Sequence, residues 1–241
     1  MNKALDKILL YQRTYGGKSI PSSLRTKAER AYNAVPFATI LFMLNLTLGF
    51  ISLLYFIYRL YRGDSEKTKS RHTSSVLTAL VIMLALSFIA LTVCLALRWI
   101  VSGTIPMSNG YETMLLMAWL IMLVSFPIYK KFNIILTFSF LLSGFFLLVS
   151  HISQMDPQIS HVMPVLASPL LTIHVSIIMM AYALLAQTFI CGLMSIVVRL
   201  LLSSNRQRAN AAIESYRLLS QLFLYPALTC LGLGIFIGAI W

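Results

Sequence analysis

The residues able to do chemistry are few, and they lie at the ends of long apolar runs. One is His174, in Leu171-Thr172-Ile173-His174-Val175-Ser176. A second group begins at Arg98-Trp99-Ile100-Val101-Ser102-Gly103 and continues through Pro106 to Ser108-Asn109-Gly110-Tyr111-Glu112. A third holds His151, Asp156-Pro157, His161 and Pro164. There is no phosphate loop, no GxSxG, no HExxH and no pair of carboxylates on one helix, so the usual soluble-enzyme motifs are absent.

His174 admits two readings. A neutral imidazole near a membrane edge hydrogen-bonds to a neighbouring helix. Alternatively it is an axial ligand to haem iron, which needs an imidazole nitrogen, an apolar wall and an opening for the propionates. Arg98 would then pair with a propionate. Ser108 or Asn109 caps the helix that follows, and Glu112 in its first turn favours the positive end of the helix dipole. That segment reads as a capped re-entry into the membrane, or as an outer surface that helps hold a ligand, because an acid beside a span is a candidate site by default. His151 and His161 lack metal-ligand spacing and read as solvated loop histidines. Asp156-Pro157 signals a turn or a helix start. Of the 12 methionines, Met114, Met117, Met122, Met179 and Met180 could suggest soft-metal transport, but they scatter over several helix faces, as ordinary packing does. Cys94, Cys191 and Cys230 form no CxxC and read as buried structural thiols.

The elements that must position these residues follow from composition. Of 241 residues, 59% are hydrophobic and 11% charged, with mean hydropathy +0.82. Soluble chains carry roughly 25% charged residues, so the natural solvent here is lipid. The fold class expected is all-α: a polytopic integral membrane protein of about six transmembrane helices. Apolar runs occupy Val35–Tyr58, Ser75–Leu97, Thr113–Tyr129, Ile134–Ser150, Leu170–Leu202 and Leu222–Trp241. Only Lys130 to Asn133 separate the third run from the fourth, which predicts a tight hairpin, and the fifth is long enough to project beyond the bilayer. Residues 1–33 form a polar, basic segment in which Leu5, Ile8, Leu9 and Tyr11 suggest a short interfacial helix. Residues 34–241 form the transmembrane domain. No cleavable signal peptide is expected, because the first apolar run starts only near Val35.

The net charge of +12 points to lipid headgroups and topology rather than to nucleic acid, because no basic stretch carries interleaved aromatics. Arg59–Arg71 holds five Lys or Arg, Lys130-Lys131 two and Arg199–Arg217 four, whereas the alternate loops are nearly bare. The positive-inside rule places the basic loops in the cytoplasm and Ser102–Asn109 and His151–Ser168 outside. It also places Met1–Asn33 outside, against the seven basic residues there. The last apolar run continues to Trp241, so a truncated chain is expected.

Several of these segments, in order, resemble the CcsA/ResC-type (system II) cytochrome c synthesis proteins. They are Arg98 to Gly103, Pro106 to Thr113, Met155 to Ile159, Val162 to Leu166 and Ile173 to Ser176. Tyr11-Gln12-Arg13-Thr14-Tyr15-Gly16-Gly17 is similar to the stretch before the CcsA half of Bacteroides-type CcsB–CcsA fusions. The resemblance implies a multi-pass protein of the bacterial inner (cytoplasmic) membrane. It implies handling of haem b at the outer face and its thioether attachment to the CxxCH of apocytochrome c. His174 matches the first of two external haem-ligating histidines. Trp99, Asn109, Tyr111 and Glu112 would shape the outer face near the haem. Implied partners are a CcsB/ResB-type half, apocytochrome c and a thiol-reducing thioredoxin-like protein. The tryptophan-rich WWD motif of the family, a second external histidine and a later membrane histidine would follow Trp241, and the expectation is therefore a fragment of a haem-lyase-type synthase. Two rival classes are a haem or small-solute transporter, which predicts ionisable residues or broken helices at the midplane, and an inactive membrane scaffold. Pro127 and Pro226 lie near the ends of the predicted runs, so the span centres show neither transporter feature.

Overall fold

A computed structural model describes residues 2–17, 20–62, 71–107, 109–152, 158, 168–203 and 205–240. These residues form helices α1 (Asn2–Tyr15), α2 (Ser23–Ala34), α3 (Phe37–Arg62), α4 (Arg71–Ser102), α5 (Gly110–Ile128), α6 (Ile134–His151), α7 (Pro169–Leu201) and α8 (Arg206–Ile240). The last six are each long and apolar enough to cross a membrane. Helices satisfy every backbone polar group within the segment, which lipid demands. The structure thus has the predicted fold class and the predicted number of spans.

α6 is the central helix. It packs against α3, α4, α5 and α7, and it buries most of its circumference, including Ile135, Leu136, Phe138, Phe140 and Leu147. Lipid tails are as apolar as leucine, so close backbone approach has to hold the helices together. Two glycines provide it. A Cβ added at Gly49 of α3 would lie 2.9 Å from the Leu141 backbone nitrogen of α6. A Cβ added at Gly144 of α6 would lie 2.8 Å from the Leu46 backbone nitrogen of α3. Beside this crossing Asn45 is wholly buried; its Nδ2 donates to Ser143 Oγ at 3.1 Å, and its Oδ1 accepts from Ser87 Oγ at 2.8 Å. One polar triad therefore ties α3, α6 and α4. Ser125 and Ser139 pair in the same way across the α5/α6 hairpin.

α7 and α8 pack along most of their lengths as an antiparallel pair. At 33 and 35 residues each is about 50 Å long, against a hydrocarbon core of about 30 Å. The end bearing Arg199, Arg206 and Arg208 therefore extends past the membrane. Arg199 Nη1 donates to Asn210 Oδ1 there at 2.7 Å. The sixth run predicted from hydropathy began at Leu222, but α8 begins at Arg206. The added turns are too polar to register as a span, yet Ala209, Tyr216, Leu219, Phe223 and Ala227 keep the helical period and are buried. Pro226 consequently sits inside a helix rather than near its end, a correction to the sequence reading.

Candidate functional site at one end of the bundle

Two constellations lie at the end of the bundle assigned to the outside by charge. The first is built on Arg98, in the last turns of α4. An arginine there has entered a low-dielectric interior and needs a neutralising partner. Glu112, in the first turn of α5, supplies it. Its Oε1 accepts from Arg98 Nε at 2.9 Å and from Nη2 at 2.8 Å, and both side chains are buried. The positive end of the α5 dipole favours the same carboxylate. Asn109 caps α5 by accepting from the Glu112 N–H at 3.0 Å, and its Nδ2 donates to the Gln158 carbonyl at 3.1 Å, joining two loops.

Two aromatic rings complete the cluster. The Arg98 guanidinium carbon is 4.8 Å from the Tyr111 ring centre and 5.4 Å from that of Tyr32. Arg98 Nη1 donates to the Tyr32 hydroxyl at 2.8 Å, and the two tyrosine hydroxyls are 3.4 Å apart. Tyr32 was not among the residues the sequence singled out. It belongs to α2, which packs along the end of α4, while Ala28 on the same face is buried. The available signal was the i, i+3, i+7 spacing of Arg25, Ala28 and Tyr32 in a segment that otherwise reads as polar.

Arg98, the candidate partner of a propionate, is wholly buried and bonded to Glu112 and Tyr32, since an unpaired cation at this depth would be too costly. Tyr111 and Glu112, candidates for shaping the outer face near the haem, are enclosed around that cation. Asn109 sits at the loop, and Trp99 is 53% exposed on α4, beside α2.

The second constellation is His174. It lies five residues into α7 and faces α8. Its Nδ1 is 2.7 Å from the Gly234 carbonyl oxygen. A carbonyl only accepts, so Nδ1 donates here, which leaves Nε2 as the nitrogen that can offer a lone pair to a metal. Histidines that ligate metals are oriented by this kind of bond. Gly238, one turn beyond Gly234, leaves the ring its space: a Cβ there would lie 2.6 Å from His174 Cε1. Ser176, on the next part of α7, donates to Met107 Sδ at 3.4 Å and so links this helix to the loop before Asn109.

His151 is the last residue of α6 rather than a loop residue. Its Nδ1 is 3.2 Å from Thr39 Oγ1, and its ring packs on Phe42 of α3. Ser108, Asp156-Pro157 and His161 lie outside the described residues. Among the described residues no three His, Cys, Asp or Glu side chains converge as a metal-binding group.

The fold and these constellations define a polytopic helical membrane protein with a buried ion cluster and an oriented histidine at one end. The model of the cytochrome C assembly protein family matches residues 107–241, which hold α5 to α8 with Asn109, Tyr111, Glu112 and His174. The chain belongs to that family. It is 30% identical over 239 residues to Protein NrfI of Wolinella succinogenes, covering 99% of this chain and 26% of that protein. It is 35% identical over 130 residues to cytochrome c biogenesis protein CcsA of Prochlorococcus marinus, covering 52% of this chain and 40% of the other. For the CcsA of Trieres chinensis the values are 28% over 162 residues, 64% and 49%. The chain thus spans between a quarter and a half of the length of these relatives.

Proposed function

We propose that the chain serves cytochrome c assembly by holding haem b at the outer face of the membrane, with His174 Nε2 as an axial ligand. The observation that carries this reading is the Nδ1 bond to the Gly234 carbonyl. It selects the tautomer an iron ligand needs and fixes the ring plane against α8. The apolar walls of α7 and α8 suit a macrocycle, and family membership supports haem as the cargo. When bound, haem supplies the iron and the vinyl groups to which the two thiols of an apocytochrome CxxCH add as thioethers. The residues of this chain orient the imidazole and keep the loop at Asn109 beside it.

On this reading the protein is a multi-pass protein of the bacterial inner membrane and acts in a system II pathway. It would work with a CcsB/ResB-type half, an apocytochrome c and a thioredoxin-like reductant of its thiols. Haem-lyase-type synthase activity belongs to the assembly rather than to His174 alone. The test is the visible spectrum of the detergent-purified chain supplied with haem, next to His174→Ala. A Soret band that weakens or shifts in the variant is expected. Identical bands in the two proteins, or none in either, would remove His174 as a ligand.

A further inference from the structure

The segment before the first span carries seven Lys or Arg against two acids, on the side of the membrane where basic residues are normally scarce. The structure gives these charges a setting. α2 is fastened to the end of α4 by the Tyr32–Arg98 bond. Between the two helices lies a cleft of about 440 Å³, lined by Leu24, Arg25, Ala96, Trp99, Ile100 and Gly103. Ala96, Trp99 and Ile100 belong to the final turns of a membrane span, and tryptophan is the side chain favoured at headgroup depth. The cleft wall is therefore apolar where acyl chains end.

Arg25 stands at its rim. The guanidinium lies over Gly103, where φ is +75° and an added Cβ would come within 2.5 Å of Arg25 Nη2. Only a residue without a side chain admits the cation there. α1 carries an exposed apolar arc of its own. Leu5, Ile8, Tyr11 and Tyr15 fall on one helical arc and are 51 to 73% exposed, with Asp6 and Lys7 off that arc. Among the described residues no other helix packs extensively along α1. α2 leads directly into the span α3, which puts a lipid leaflet within reach of α1.

We infer that the α2/α4 cleft is a seat for an anionic phospholipid, with the phosphate at Arg25 and an acyl chain along Ala96, Trp99 and Ile100, while α1 lies in the same leaflet. The inference rests on the placement of α1 and α2 and is independent of haem binding at His174.

The experiment is native mass spectrometry of the whole detergent-purified chain with phosphatidylglycerol or phosphatidylcholine added. Parent, Arg25→Gln and Lys131→Gln are compared, the last removing a cation at the opposite end of the bundle. The parent is expected to retain phosphatidylglycerol in preference to phosphatidylcholine. Arg25→Gln should lower that retention about fivefold, the usual effect of one basic residue at a lipid surface, and Lys131→Gln should leave it unchanged. Equal retention of the two lipids by the parent would reduce the cleft to ordinary lipid contact. An unaffected Arg25→Gln, or an equal loss in Lys131→Gln, would overturn the site.

Discussion

At the residue scale the decisive group is Arg98. Its charge is tolerable at the end of α4 because Glu112 neutralises it, Tyr32 accepts from it and two rings flank it. Buried pairs of this kind contribute little net stability when intact, but removal of one partner strands the other. Glu112→Gln should therefore destabilise the protein by about 3 kcal/mol, read as a large fall in the detergent melting temperature. Tyr32→Phe deletes one hydrogen bond to a charged group and should cost about 1.5 kcal/mol. If Glu112→Gln melts with the parent, the pair is not the clamp the geometry describes. The candidates Arg98, Asn109, Tyr111 and Glu112 were legible in the sequence, since polar residues at the end of a span stand out. Their joint engagement with a fifth residue, Tyr32, was not, because that partner comes from a helix outside the spans.

At the scale of the element, the α3/α6 crossing shows how spans are joined when water provides no driving force. Gly49 and Gly144 bring the two backbones together, and the Asn45 triad is satisfied only at that separation. Gly144→Leu inserts a side chain where Leu46 already stands. It should cost about 1–3 kcal/mol by overpacking and loosen the Asn45–Ser143 bond with it. Thermal melting of the variant beside Gly192→Leu makes the check, because Gly192 meets nothing within 4 Å and its replacement should be mild. Comparable losses in the two variants would mean that the crossing does not depend on close approach. Hydropathy located α3, α4, α5 and α6 to within a few residues. It placed the start of α8 sixteen residues late, because residues 206–221 form a helix held by α7 rather than by lipid.

At the scale of the whole molecule, charge orients the bundle. The α5/α6 turn and the α7/α8 turn carry the basic residues, and the Arg98 cluster, His151 and His174 gather at the other end. In a cysteine-free background, Thr104→Cys should react with a membrane-impermeant maleimide added to intact cells, and Lys131→Cys only after lysis. Both parent side chains are exposed, so accessibility within the protein does not limit labelling. The reverse pattern would put His174 on the cytoplasmic side and remove the outer-face reading of haem handling.

Much about this protein is a property of the chain read linearly. The all-α class, the number of spans and the α5/α6 hairpin follow from local hydropathy, spacing and charge. Each of those signals is carried by neighbours in sequence, and lipid leaves a span few choices other than a helix. The tertiary structure decided what distant residues do to one another. It enclosed Arg98, recruited Tyr32, set the Gly49 and Gly144 contacts and placed a carbonyl of α8 against the imidazole of α7. Tyr32 and Arg98 are 66 positions apart, and His174 and Gly234 are 60 apart. No local pattern encodes such pairs, because they exist only once helix packing has fixed which faces meet.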